Sequence, residues 1–200
     1  SNTVTVGNRT ITGQRIFIAV GSEPMVPPIK GLAEVDYLTN QNLFNLTEFP
    51  KSMTIIGGGA IGCEMAQAFN RLGTKCTIVQ MDGFLIPNGT KEVGRLVEDA
   101  FKKEGIEVYN SRKITEIRQE GEQITLETED GLSLTSEKLL VAAGKRLDFD
   151  ALKLGNAGVE FDKKGVKVDS KYRTTTKNIY AVGDCNGETL LTHAAMHQGM

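Results

Sequence analysis

The chain has 200 residues, with 23 Lys and Arg against 25 Asp and Glu, 40% hydrophobic and 24% charged residues, and a formal net charge of −2. This is ordinary globular composition for one or two domains; the near-neutral balance, without a basic cluster, argues against nucleic acid as the main partner, and no apolar run is long enough to cross a membrane. Cys63, Cys76 and Cys185 are widely spaced and odd in number, so neither a disulfide framework nor a zinc site is expected, and with no secretory signal visible a reducing, cytoplasmic setting is the simplest expectation. The Ser1-Asn2 start lacks an initiator Met and reads as a processing scar or an internal start.

In chain order, residues 3–6 and 9–11 predict a β-hairpin that feeds a buried strand over 15–20, ending at Gly21-Ser22-Glu23-Pro24. Pro24, Pro27 and Pro28 mark an extended crossing, because proline and the residue before it avoid the helical region. After the approach of residues 37–49, an apolar strand (Met53-Thr54-Ile55-Ile56) enters the glycine loop Gly57-Gly58-Gly59-Ala60-Ile61-Gly62. A helix follows, with Ile61, Met65, Phe69 and Leu72 at helical spacing; Gly73 ends it, and Thr77-Ile78-Val79 forms the next strand.

Further along, a second helix is expected over 92–103 with Val93, Leu96, Val97, Ala100 and Phe101 on one face, stopped by Gly105 before a strand at 106–109. From 113 to 135 the period changes to alternation. Ile114, Ile117, Ile124, Leu126, Leu132 and Leu134, broken at Gly121-Glu122 and Asp130-Gly131, predict an antiparallel meander whose charged residues form its solvated face. Residues 138–143 make a continuous apolar strand of the kind buried on both faces, stopping at Gly144. The stretch 147–168 reads as a loop-rich second crossing. A short buried strand over 178–182 then ends at Gly183-Asp184, and a helix begins near Thr192. Strand-then-glycine endings recur at Gly21, Gly144 and Gly183, which predicts one complete nucleotide domain inserted between two pieces of another.

Strand, glycine loop, helix and second strand in this order are suited to a pyrophosphate. Gly57 allows the tight turn out of the strand, Gly59 lets backbone amides approach the phosphates, and Gly62 lets the helix pack closely on the sheet. The helix start supplies unsatisfied N–H groups and partial positive charge. A loop that merely turns a strand into a helix is the plainer alternative. The end of the second strand decides which dinucleotide is bound, since an acid there accepts from the adenosine ribose and an arginine favours a 2′-phosphate. This chain has Gln80, and no Lys or Arg lies between Lys75 and Lys91, so NAD(H) is expected over NADP(H).

Together these motifs resemble the flavin-dependent pyridine nucleotide–disulfide oxidoreductases, the family of dihydrolipoamide dehydrogenase, glutathione reductase and mercuric reductase. Ile18-Ala19-Val20-Gly21-Ser22 resembles that family's exit from its flavin domain, with Val20 in place of the usual threonine. Gly57 through Glu64 resembles its nicotinamide-dinucleotide loop, and Asn178-Ile179-Tyr180-Ala181-Val182-Gly183-Asp184 its return to the flavin. The wording around Tyr37-Leu38-Thr39-Asn40 and Gly62-Cys63-Glu64 is most similar to the mercuric-reductase-like branch.

The resemblance implies an α/β fold: a Rossmann-like parallel sheet with an antiparallel β-meander, the FAD/NAD(P)-binding three-layer fold, plus partial pieces of a second, FAD-binding domain. It divides the chain into a partial FAD segment and crossover (1–31), an NAD(P)-binding domain (32–147), and a second crossover and FAD segment (148–200). It implies that Gly57, Gly58, Gly59, Ala60, Ile61, Gly62 and Glu64 surround the NAD pyrophosphate and nicotinamide ribose. Gln80 would face the adenosine ribose, Ile114 would pack near the adenine, and Gly144 would approach the cofactor backbone. For FAD it implies Gly21, Asp184 at the ribityl chain, and Leu190, Leu191, Thr192 and His193 against the flavin. Glu64 would sit beside the nicotinamide, where family members pair it with a lysine of the flavin domain. The plainer rivals are a helix-dipole carboxylate for Glu64 and a turn cap for Asp184. His193 and His197 fall four apart without a third ligand, so no metal is expected.

The family's chemistry passes hydride from NAD(P)H to FAD and then electrons to a close cysteine pair. This chain has no such pair, no second glycine fingerprint and no interface domain through which a parent homodimer would form. It is therefore read as a central fragment of a larger flavoenzyme, inactive alone, with a freestanding NAD(H)-binding or redox-sensing module as the alternative. A family oxidase or transhydrogenase lacking the cysteine pair would look the same over these residues.

Overall fold

The computed structural model describes residues 3–200; Ser1 and Asn2, with the expectation attached to them, lie outside the described residues. The chain divides into two compact units: a central one, Pro24–Gly144, and an outer one, made of the residues up to Glu23 together with Lys145–Met200.

The central unit is built on a five-stranded parallel sheet in the order Tyr37–Leu38, Lys138–Val141, Ser52–Ile56, Lys75–Val79, Glu107–Tyr109. Leu140, Ile55, Ile78 and Val108 lie in register across four of these strands. Successive side chains on a strand point to opposite faces, and both faces are covered. Met53, Ile55, Cys76, Ile78 and Leu140 pack on one side with Cys63, Ala66 and Phe69 of helix α1 (Ala60–Arg71) and Phe101 of helix α2 (Lys91–Glu104). Ile56, Val79, Leu139 and Val141 pack on the other side against Ile117, Ile124 and Leu126. These three belong to the antiparallel meander Ile114–Glu120, Gln123–Thr128 and Ser133–Ser136. Helices, parallel sheet and meander make three layers, which accounts for strands that are apolar on both faces. The meander's charged residues form ion pairs, Arg118 with Glu127 at 2.7 Å and Lys113 with Glu129 at 3.2 Å.

Both helices turn a different face to the sheet than apolar spacing alone suggests. On α1 the buried residues are Gly62, Cys63, Ala66 and Phe69, while Leu72 caps the helix and is exposed. On α2 they are Gly94 and Phe101, with Val97 half-buried; Val93 and Leu96 face outward, Leu96 being 70% exposed. The rotation of α2 has a polar cause. Its Glu98 carboxylate accepts hydrogen bonds from the Leu85 backbone N–H at 3.2 Å and from Asn110 Nδ2 at 2.8 Å, so it faces the sheet-end loops rather than solvent. Gly94 fits beneath the same loop, where an added Cβ would lie 2.6 Å from the Leu85 carbonyl oxygen.

The outer unit pairs Ile16–Ile18 in parallel with Ile179–Ala181 over a small core of Ile18, Phe149, Leu154, Val159, Val166, Ile179, Ala181 and Cys185. The first of these strands is shorter than its expected span of 15–20, and Val20 is exposed. The segment read as a loop-rich crossing contains two 3-10 turns, Asp150–Leu152 and Leu154–Ala157, and a tight hairpin of Phe161–Asp162 with Gly165–Val166. It contributes four of the eight core side chains. The Thr3–Val6 and Arg9–Thr12 hairpin forms as expected, with its side chains exposed.

Candidate functional site

The glycine loop leaves the carboxyl end of the Ser52–Ile56 strand, at the centre of the parallel sheet. Its glycines answer to different neighbours. Gly57 has φ +106, in the region that side chains disfavour, and a Cβ there would lie 2.4 Å from the Ala142 carbonyl oxygen on the adjacent strand. On Gly62 a Cβ would come within 2.0 Å of the Gly57 carbonyl oxygen, and on Gly58 within 2.4 Å of Leu85 Cδ2. Gly59 differs from all three: a Cβ placed on it meets nothing within 4 Å. It has ordinary backbone angles (φ −74, ψ −174), so neither conformation nor packing within the protein calls for glycine.

Gly59 is also the N-cap of α1, and no side chain caps that end. The first intrahelical bond of the turn runs from Cys63 N–H to the Gly59 carbonyl at 2.9 Å. The amides of Ala60, Ile61 and Gly62 therefore have no intrahelical acceptor and lie beside the space in front of Gly59. Donors with partial positive charge beside open space suit an anion. Glu64 is exposed on α1 and lies beyond its first turn, so the helix-terminus rival for this carboxylate loses its premise.

The loop is braced from the segment after the second strand. Ile86 donates its backbone N–H to the Gly58 carbonyl at 2.7 Å, and Leu85, fully buried, packs its side chain on Gly58. Ile86 holds φ +53, which for a β-branched residue carries strain on the order of 1–3 kcal/mol. The hydrogen bond to Gly58 and the Leu85 contact oppose that strain.

Gln80, at the end of the second strand, is only 5% exposed. Its Oε1 accepts from the Gly58 N–H at 2.9 Å and its Nε2 donates to Asp82 Oδ2 at 3.0 Å. The amide thus ties the glycine loop to Asp82, and the exposed polar group of this rim is the Asp82 carboxylate. Asp82 stands two residues beyond Gln80, in the bend that follows the strand, and sequence reasoning passed over it.

The chain also brings a cation here that a local window does not contain. Arg112 donates its backbone N–H to the Gln80 carbonyl at 3.0 Å, and Ser111 donates to the Asp82 carbonyl at 2.9 Å. The Arg112 guanidinium is engaged by Asp130, Nη1 to Oδ2 at 2.6 Å. Ile114, two residues on, is half-buried in the cluster between sheet and meander. Gly144 has φ +127 and is covered by Met25, whose backbone N–H donates to the Gly144 carbonyl at 2.9 Å and whose Cε would lie 3.2 Å from an added Cβ.

In the outer unit, Gly21 has φ +69 and open space where a Cβ would stand. Asp184 Oδ2 accepts from Ser22 Oγ at 2.6 Å and from Lys145 Nζ at 2.7 Å, with the Asp184 side chain 14% exposed. Burial pushes this carboxyl upward, but the hydrogen bonds and charge of Lys145 and the Ser22 hydroxyl outweigh it and hold the group below the ordinary aspartate value. The Asp184 carboxylate is thus bound by side chains from two other segments, which a simple turn cap does not require. Leu190 is half-buried, and Leu191, Thr192 and His193 are exposed at the start of helix α3 (Thr192–Gln198).

The three cysteines lie apart and buried. Burial pushes Cys63 up to about 11 and Cys76 to about 12, and raises Cys185 as well, so all three remain thiols at neutral pH. Among the described residues no group of three His, Cys, Asp or Glu side chains comes together as a metal site, and no helix is long and apolar enough to cross a membrane.

Known proteins are similar to this chain in sequence and in fold. The family model described as pyridine nucleotide-disulphide oxidoreductase matches residues 1–199. Dihydrolipoyl dehydrogenase of Bacillus subtilis is 33% identical over 195 residues, covering 97% of this chain and 43% of the relative. Mercuric reductase of Shewanella putrefaciens is 37% identical over 178 residues, covering 88% of this chain and 32% of the relative. The solved Cu(II) complex of the HOCl-induced flavoprotein disulfide reductase RclA from Escherichia coli superposes with a TM-score of 0.90 at 28% identity, over 98% of this chain and 46% of that one. The chain spans less than half the length of each. By its whole-length match and by the three-layer fold around the glycine loop, the chain belongs to the pyridine nucleotide–disulphide oxidoreductase family, whose members depend on FAD and NAD(P).

Proposed function

We propose that the loop at 57–62 binds the pyrophosphate of NAD(H), and that this chain is the NAD(H)-binding portion of a flavin-dependent disulfide oxidoreductase. When both cofactors are bound in such an enzyme, NAD(P)H supplies a hydride to FAD. The observation that carries the reading is the open space at Gly59: the residue has ordinary angles and no protein neighbour that excludes a side chain, so its glycine leaves room for something outside the chain. The unpaired amides of Ala60, Ile61 and Gly62 give that room its chemistry.

Around this anchor, Gln80 and Asp82 hold the adenosine ribose, Ile114 borders the adenine, Gly144 lies along the cofactor backbone, and Glu64 stands on the nicotinamide side. The carboxylate of Asp82 and the commitment of Arg112 to Asp130 favour NAD(H) over NADP(H). The central unit serves as the nucleotide domain, and the outer segments are strips of an FAD-binding domain. There Asp184 meets the ribityl chain, with Gly21 and Leu190 to His193 beside it.

Calorimetric titration of the chain with NADH, NADPH and FAD tests this. NADH binding that is tighter than NADPH binding, with little retention of FAD, is the expected result. Gly59→Val should abolish NADH binding with the fold intact by circular dichroism, because the valine methyls occupy the phosphate space. Unchanged affinity in that variant rejects the site.

A further inference from the structure

Two turns meet at the end of the Lys75–Val79 strand. Gln80 and Asp82 belong to one, Ser111 and Arg112 to the other, and two backbone hydrogen bonds join them: Arg112 N–H to the Gln80 carbonyl at 3.0 Å and Ser111 N–H to the Asp82 carbonyl at 2.9 Å. Ser111 turns the chain sharply with φ +55, and its hydroxyl lies 3.7 Å from where a Cβ of Gly83 would stand. The base of the Arg112 side chain is thereby anchored beside the Gln80 main chain, on the residue whose amide holds the glycine loop.

The guanidinium is paired with a carboxylate, Nη1 to Asp130 Oδ2 at 2.6 Å. Arg112 Nε is buried and finds no acceptor among the described residues, so the pair does not run through it. Asp130 is itself fixed: its Oδ1 accepts from Thr128 Oγ1 at 2.6 Å. That hydrogen bond lowers the Asp130 pKa; burial opposes it, while the turn's own amide and Arg112 add to it. The neighbouring Lys113 is paired with Glu129 at 3.2 Å. The arginine beside the Gln80 main chain is therefore committed to Asp130, while Asp82 accepts from the Gln80 amide.

We propose that Asp130 is a specificity-determining residue of the dinucleotide site: by holding Arg112, it withholds from an adenosine 2′-phosphate a cation that the tertiary fold brings beside Gln80. The proposal rests on the reading that the adenosine ribose lies at Gln80 and deepens it, because selectivity then depends on an ion pair outside the strand-loop-helix motif. An arginine free of its carboxylate has planar donors suited to a phosphate, while Asp82 remains to accept from an unmodified ribose.

The test compares 5′-AMP with its 2′-phosphorylated form, 2′,5′-ADP, by calorimetric titration of the whole chain, alongside NADH. Asp130→Asn keeps the side chain's size and its acceptor for Thr128 while removing the charge. The ratio of 2′,5′-ADP to 5′-AMP affinity should rise by roughly tenfold in this variant, the effect of one charge-assisted hydrogen bond. The rise should vanish in Asp130→Asn with Arg112→Ala. A protein that binds NADH and 5′-AMP but shows no change of ratio in Asp130→Asn, or keeps the gain after Arg112 is removed, overturns the assignment of Asp130 alone. A wild-type protein that binds neither NADH nor 5′-AMP overturns the nucleotide site and this proposal with it.

Discussion

Gly59 and Gly62 stand three residues apart in one loop and respond to opposite pressures, and substitution separates them. At Gly62 a methyl group would come within 2.0 Å of the Gly57 carbonyl oxygen, a backbone atom that cannot turn aside. Gly62→Ala is therefore expected to cost about 1–3 kcal/mol or more of stability by overpacking, read as a lowered urea midpoint. At Gly59 the same methyl meets open space, so Gly59→Ala should unfold with the wild type while losing nucleotide affinity. Equal stability losses at both positions would show that the space before Gly59 is filled by the protein itself.

The thiols belong to the same scale. With Cys63 raised to about 11 and Cys76 to about 12 by burial, almost no thiolate is present at pH 7. Iodoacetamide should modify none of the three cysteines of the folded protein on the timescale that labels all of them in guanidinium, counted by mass spectrometry. Rapid labelling of any one in the folded state would contradict its burial. The composition showed only that these residues form no close pair; their placement on the inner faces of strands and helices shows that they are packing residues.

At the level of elements, the glycine loop depends on a brace that its own motif does not include. Glu98 on α2 accepts from the Leu85 N–H, Leu85 and Ile86 contact Gly58, and Gly58 is held from the other side by Gln80. Glu98→Ala leaves the Leu85 N–H and the Asn110 amide without this acceptor. A loss of about 1–3 kcal/mol is expected from denaturant unfolding. The same variant should weaken NADH binding in a titration, because the strained Ile86 is released from its frame; unchanged binding would place the brace outside the site.

The elements also mark how far sequence reasoning reached. The Met53-Thr54-Ile55-Ile56 strand, α1 and the Lys75–Val79 strand were legible because strand propensity, glycine punctuation and helical spacing all coincide over about thirty residues. The inward faces of α1 and α2 were not. Apolar spacing puts Leu96 inside, yet the carboxylate of Glu98 is drawn in by two donors on other segments, and a pattern of apolar residues cannot register donors that approach from elsewhere.

For the whole molecule, acid stability gives a test of the outer unit. Asp184 has a folded-state pKa below its ordinary value through Lys145 and Ser22 despite its burial. Its contribution is full above the unfolded aspartate value near 4 and is lost as pH falls from there through the depressed folded value. The urea midpoint should therefore decline below about pH 4 by more in the wild type than in Asp184→Asn. Parallel profiles for the two proteins would remove the charge from any structural role.

The sequence by itself determined the order of elements and the glycine loop, because each depends on neighbours within a strand or a few helical turns. Its resemblance to the flavoprotein disulfide reductases followed from the same short motifs. Only the tertiary structure decided that Gln80 points inward, that Asp82 is the exposed acid of the rim, and that Arg112 lies beside Gln80 and is held by Asp130. Gln80 and Arg112, 32 positions apart in the chain, cannot be paired from local pattern. The folded backbone sets them within hydrogen-bonding distance.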